Sequence, residues 1–298
     1  MAPNTPSVRS AHDRVKEIHS IALAEVLTRS GAFDVWRYFG ELNDLKQRPV
    51  STTWREAFVM VCCVGQIRAA KVVGNLKRLR NMLPPEEFAE FDTRMRDYLA
   101  PIALTNHGFR EGNFATVDPA PIWSHVKGLT QQLESEGLRV FLNSGTLLGV
   151  VRDQSLIAHD DDIDLAVILD ADSAVSAAAA WRRLSERLRE IGLSDASTQK
   201  APEIHKLTPI GTFEVDLFPV WIEAGRVFVY PHTFGDLTYD DLLPLGVCNM
   251  TGCAIPRAPE KMLAVNYGED WRDPDPLFTF KWTKANEKFV DFMQALRG

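Results

Sequence analysis

The chain has 298 residues, 45% hydrophobic and 24% charged, the make-up of an ordinary globular protein able to bury one large or two small cores. A formal charge of −7 speaks against a general nucleic-acid binder, which needs a basic footprint, although not against a single nucleotide held through a metal. The N-terminal MAPNTPSVRSAHDR lacks the apolar core of a secretory signal, and the longest strongly apolar stretch, 57–64, is too short to span a bilayer. The expected setting is therefore cytoplasmic, with no transmembrane segment and peripheral membrane association left open.

Residues 1–9 are expected to be frayed. Val15, Ile18, Ala22 and Val26 recur at helical spacing and predict a helix over Ala11–Thr28, ended by Gly31. A second apolar-patterned piece covers 33–45. Thr53 and Glu56 have the spacing of a capping box. After them Phe58, Val61, Gly65, Ala69, Val72, Leu76 and Leu79 form a stripe that predicts one long helix. That helix carries Arg68, Lys71, Lys77, Arg78 and Arg80, and a solvated face is the favoured reading over a surface for an anionic glycan, a lipid headgroup or a membrane. Pro84-Pro85 breaks the chain before a further helix over 86–99.

Residues 106–121 are polar, rich in Gly and Pro, and read as a linker between an N-terminal helical region (1–105) and a second domain (122–298). His107 and His125 fall in or beside it and read as structural or surface residues. A helix over 122–134 leads into a strand at 138–142, and a clear helix follows over 173–191, with Asp172 or Ser173 as N-cap. Strands over 203–207 and 211–220 come next, then a hairpin return over 226–230. Asp240 and Asp241 read as solvated in a helical turn; a short helix over 261–267 and an amphipathic helix over 282–296 close the chain. Cys62, Cys63, Cys248 and Cys253 lack zinc spacing, and free thiols are favoured over a Cys248–Cys253 disulfide across a hairpin turn. The class is α+β: a mixed sheet flanked by helices, with an N-terminal helical region.

The chemistry concentrates in Phe141-Leu142-Asn143-Ser144-Gly145-Thr146 and the residues that follow, up to Val167. Asp160, Asp161, Asp162 and Asp164 run into an apolar strand over 163–169. Crowded acids repel one another and become tolerable around a divalent cation. Side chains alternate along a strand, so Asp160, Asp162 and Asp164 share a face and Asp161 takes the other. A second apolar strand carries Asp216, costly there unless paired or metal-bound. Asp162, Asp164 and Asp216 are the expected catalytic residues and ligands of Mg²⁺ or Mn²⁺, in a pair of ions. The Ser144-Gly145-Thr146 turn is a candidate phosphate cradle, Arg152 offers a forked partner for a phosphate oxygen, and Lys206 either reaches a phosphate or guards a sheet edge.

Gly145-Thr146-Leu147-Leu148-Gly149-x-x-Arg152, Asp160-Asp161-Asp162-Ile163-Asp164 and Val215-Asp216-Leu217-Phe218-Pro219 together resemble the LicD and fukutin-related phosphotransferases. Leu243-Pro244-Leu245, Ile255-Pro256 and Tyr267-Gly268-Glu269-Asp270-Trp271 extend the likeness. Ala158-His159 departs from the family's Pro-Trp. The resemblance implies a nucleotidyltransferase fold and transfer of a phospho-alcohol, such as phosphocholine or ribitol phosphate, from a CDP-linked donor to a hydroxyl of a glycan acceptor. Bacterial enzymes of this kind decorate capsules, teichoic acids or lipopolysaccharide. Two other readings stand beside it: a nucleotidyltransferase moving NMP from an NTP to a small molecule, protein or RNA, and a catalytically silent glycan-binding protein.

Overall fold

The structure is a computed structural model that describes residues 10–105, 107–195 and 201–298. The expectation of a frayed segment over 1–9 lies outside the described residues. The chain divides into two compact units, Met1–Gly112 and Asn113–Gly298.

The first unit holds helices α1 (Ala11–Thr28), α2 (Val35–Asp44), α3 (Thr52–Val64), α4 (Ala69–Met82) and α5 (Pro85–Leu99), and an antiparallel hairpin of β1 (Ile102–Thr105) and β2 (Gly108–Glu111). Two local expectations are corrected. The cap of α3 is Ser51, whose side chain accepts from the Trp54 backbone N–H, rather than Thr53, which lies inside the helix. The single long helix is two, broken at 65–68, where Gln66 (φ 50°) and Arg68 (φ 57°) turn left-handed. The stripe was real, but its halves pack on each other as a hairpin (α3 against α4), so both apolar faces are buried at once. Gly65 permits the turn: a Cβ there would lie 2.4 Å from Val35 Cγ1.

The segment read as a linker is more ordered than its composition suggested. Residue 106 lies outside the described residues, but β2, a 3-10 turn over Phe114–Thr116 and the start of α6 (Pro119–Ser135) occupy most of the rest. The turn is tied to the acidic loop, Phe114 N–H donating to Asp160 O (3.1 Å) and Ala115 N–H to Ala158 O (2.9 Å).

The second unit is built on a six-stranded mixed sheet. β3 (Arg139–Leu142) runs antiparallel to β4 (Asp162–Ile168), and β4 runs parallel to β6 (Phe213–Glu223). The far edge of β6 is shared, its first half by β5 (His205–Ile210) and its second by β7 (Arg226–Val229), with β8 (Thr233–Thr238) beyond. Every residue of β4 is buried, as its apolar run requires in the middle of a sheet. Between β3 and β4 lie a short helix, α7 (Ser144–Leu148), and a π-helical turn over Gly149–Asp153. Helix α8 (Ala174–Glu190) buries Ala177, Trp181, Leu184 and Leu188 and contacts β6, and its Ser173–Ser176 capping box agrees with the expected N-cap.

The remainder comprises α9 (Tyr239–Leu242), the two-residue pair β9 (Gly246–Val247) and β10 (Ala254–Ile255), α10 (Pro259–Tyr267), α11 (Trp282–Lys288) and α12 (Val290–Arg297). Phe289, Phe292 and Phe228 ring the buried Trp221 at 5.2–5.7 Å. Asp241 is not merely solvated: it caps α9 through Thr238 and pairs with Lys261 at 2.7 Å. Cys248 and Cys253 are unbonded and buried, joined instead through the backbone, Cys248 N–H to Cys253 O at 2.8 Å. Among the described residues no helix is long and apolar enough to cross a membrane.

Candidate active site

The parallel pairing of β4 with β6 is what brings the acids together. Asp162 lies opposite Glu214 and Asp164 opposite Asp216, so Asp164 and Asp216 sit side by side on one face of the sheet, with Asp162 two residues back on that face. One carboxylate oxygen from each of Asp162, Asp164 and Asp216 lies within 4.8 Å of the others, and all three side chains are buried. Asp160 joins this side: burial, then Asp162, holds its carboxyl well above the usual carboxylate range. Burial and the charges of Asp162, Asp160 and Asp216 do the same to Asp164, against a 2.8 Å hydrogen bond donated by Gly145 N–H. A compact, all-oxygen, over-negative donor set of this kind can hold a hard divalent cation.

The α7 turn is moulded onto Asp164 by three bonds. Asn143 N–H donates to Asp164 O (3.0 Å), Asp164 N–H to Thr146 Oγ1 (2.9 Å), and Gly145 N–H to Asp164 Oδ2. Gly145 is required by proximity: a Cβ would come 2.7 Å from Asp160 Oδ2 and 3.2 Å from Asp164 Oδ2. Ser144 adopts φ 42°, an uncommon strained conformation for a residue with a side chain. So the cradle expected at 144–146 is occupied in part by an acid of the site itself.

The two expected phosphate-binding cations are both engaged. Arg152 forks onto Asp153, with Nε to Oδ1 and Nη2 to Oδ2 each 2.7 Å, and its side chain is only 10% exposed. Lys206 sits across from Asp216 in the β5–β6 register; its Nζ is 2.5 Å from Asp216 Oδ1 and 2.7 Å from Glu214 Oε2. Burial alone would lower its pKa, and the two carboxylates more than offset that, so it stays protonated. Lys206 is therefore the resident counter-charge of Asp216.

Three residues near the acids carried no assigned role in the sequence. Asn143 is fully buried, and neither its side-chain oxygen nor its nitrogen has a hydrogen-bond partner. His232 lies 3.5 Å through Nδ1 from Ser144 Oγ, and burial lowers its pKa to about 4, leaving a neutral imidazole. Tyr267 keeps its proton: burial first, then the charges of Asp164, Asp160 and Asp162, raise its pKa well above the ordinary value. Tyr267 stands within a quoted motif, so a signal for it existed; His232 follows Tyr230-Pro231 with no pattern around it.

Comparison with known families agrees with this geometry. Residues 137–260 match the family model described as LicD/FKTN/FKRP, nucleotidyltransferase domain. A search of curated proteins found no significant match.

Proposed function

From a chain whose residues 137–260 belong to the LicD/FKTN/FKRP nucleotidyltransferase family, we propose a metal-dependent transferase that moves a phospho-alcohol from a CDP-linked donor to a hydroxyl of a glycan. The observation that carries the reading is the convergence of Asp162, Asp164 and Asp216 oxygens within 4.8 Å from two adjacent parallel strands. These three carboxylates would hold Mg²⁺ or Mn²⁺, in a pair of ions. When bound, such cations supply neutralisation of the charge that builds on the phosphoryl oxygens.

The chain's own residues do the rest. In the transfer, the acceptor oxygen bonds to the phosphorus of the phospho-alcohol while the phosphorus–oxygen bond to CMP breaks, so CMP leaves and the acceptor's proton passes to a carboxylate of the set. Gly145 and Thr146 fix Asp164 through its carboxylate and its backbone N–H, holding it against repulsion from its neighbours. Arg152 reaches a donor phosphate by exchanging Asp153 for it. Lys206 balances Asp216 while the donor is absent.

Product identity is the test. Incubation with CDP-choline, CDP-ethanolamine, CDP-glycerol or CDP-ribitol plus Mg²⁺ or Mn²⁺ and a glycan acceptor is expected to release CMP. Pyrophosphate from an NTP as the product would instead establish the NMP-transfer reading, and no divalent-metal binding in calorimetry would favour a silent glycan-binding protein.

A further inference from the structure

The first unit contains a cavity of about 630 Å³ between α2, α3 and α4, well within the size range of small-molecule sites. Five of its lining side chains are cationic, Lys46, Arg48, Arg55, Lys71 and Arg78, and none of its lining residues is acidic. In a chain of net charge −7, that is a local inversion of sign. Among the described residues none of the five forms an ion pair with a carboxylate.

Arg55 is half-buried, and Lys46, Arg48, Lys71 and Arg78 stand exposed around it. Lys71, Asn75 and Arg78 follow one another at i, i+4 and i+7 on α4, one stripe of the helix, and Arg55 meets that stripe from α3. Arg55 Nη1 donates to Asn75 Oδ1 at 2.8 Å, and Asn75 Nδ2 donates to Lys71 O at 2.9 Å, which fixes the guanidinium in place. Its Nε is buried and has no hydrogen-bond partner. A buried, unpartnered guanidinium N–H is costly, and burial together with the neighbouring Arg78 pulls the Arg55 pKa below its ordinary value. Lys46 lies 5.0 Å over the Trp54 ring, held at the rim by the aromatic face. Like charges gathered around one solvent-open hollow, with no carboxylate lining it, describe a site whose natural complement is an oxyanion.

We propose that this cavity binds a small molecule bearing two or more phosphate groups. A guanidinium fork fits phosphate or carboxylate equally well in shape. Charge decides between them: a monocarboxylate offers one negative charge to five cations, whereas a diphosphate offers two to four and enough oxygens for Arg55, Arg78 and Lys71 together. The site lies wholly within the helical unit and is independent of the acids of the second unit.

The test is calorimetry on the full chain in metal-free buffer with chelator, using inorganic pyrophosphate as the probe and CDP and glucuronate as separate arms. Pyrophosphate is expected to bind, more weakly as salt is raised. Arg55→Gln and Arg78→Gln should each weaken it roughly tenfold or more, the loss of one charge-assisted contact. Asp164→Asn should leave it unchanged, which separates this site from the acidic one. Lys71 and Arg78 are exposed, so Lys71→Gln and Arg78→Gln keep the fold even if Arg55→Gln does not. CDP binding more tightly than pyrophosphate would assign a nucleoside diphosphate, and equal binding would assign the phosphates alone. No binding of pyrophosphate to the wild-type chain, undiminished binding in the Lys71 and Arg78 variants, or a preference for glucuronate would each overturn the proposal.

Discussion

Asp162, Asp164 and Asp216 respond differently to the loss of charge, because Asp216 has Lys206 seated against it while the pKa of Asp164 is held up by burial and the charges of its neighbouring carboxylates. Turnover is expected to fall at least about a hundredfold in each Asn variant, the scale of removing one preorganised electrostatic group. Metal-free stability should diverge. In Asp162→Asn and Asp164→Asn the melting temperature holds or rises, since a repelling charge is removed. In Asp216→Asn it falls, because Lys206 loses its contact with the Asp216 carboxylate while keeping that with Glu214; the loss stays below the roughly 3–5 kcal/mol of breaking a fully buried pair. Asp161→Asn, at the residue before β4 begins, should keep far more activity than Asp162→Asn in the same assay. A pH series gives an independent reading. Asp160 and Asp164 have raised pKa values, so the folded chain holds protons that the unfolded chain has already released above about pH 4. Their contribution to metal-free stability is full below that pH and is lost as pH rises through their elevated values. Melting temperature followed against pH in chelator should therefore slope less steeply in Asp164→Asn than in wild type.

At the scale of elements, the α7 helix and the π-helical turn after it are tightly specified backbone. A Cβ on Gly149 would lie 2.5 Å from Ser155 O and 3.1 Å from Ile157 N, both backbone atoms that cannot swing aside. Gly149→Ala is expected to cost roughly 1–3 kcal/mol by denaturant unfolding, and to lower turnover by displacing Arg152 within the turn. Gly145→Ala presses mainly on the Asp160 side chain, which can move, so its effect should fall on metal affinity more than on stability. Arg152→Lys separates fork from charge: stability should stay within about 0.5 kcal/mol while turnover drops clearly. Wild-type turnover in that variant would assign Arg152 to its bond with Asp153 alone. In the first unit Ser51→Ala should cost about 1 kcal/mol, the value of a helix N-cap, whereas Thr53→Ala should cost much less.

For the whole molecule, each unit has its own buried core: Ile18, Leu42, Phe58, Met60 and Leu79 in the first, and the β4–β6 sheet with Trp181 and Trp221 in the second. Asn113–Gly298 expressed alone is expected to fold and to bind divalent metal in calorimetry with the affinity of the full chain. If it is unfolded by circular dichroism, the sheet depends on the helical unit for its stability. Pyrophosphate binding in chelator should be lost with the first unit, since all five cations of the basic cavity lie there.

Local and periodic information was legible in the sequence. The helices at Ala11–Thr28 and Ala174–Glu190, the strand of acids and its alternation, and an N-cap at Asp172 or Ser173 all follow from neighbours a few residues apart. Asp162, Asp164 and Asp216 stood out as candidates in the same way, because two apolar strands carrying carboxylates are anomalous on any account of burial, and the fold brings their carboxylates together. What required the tertiary structure was every pairing across distance. The stripe over α3 and α4 could not reveal that its middle turns back, since a periodic pattern has the same phase in one helix as in a hairpin of two. Lys206 reads alike as a phosphate ligand or an edge residue until the β5–β6 register sets it opposite Asp216. The cations at 46, 48, 55, 71 and 78 belong to two helices and a loop, and only their folding around one cavity makes them a site. Sequence specifies which side chains carry charge; packing decides which charges must face each other in low dielectric, and that energy gives them a function.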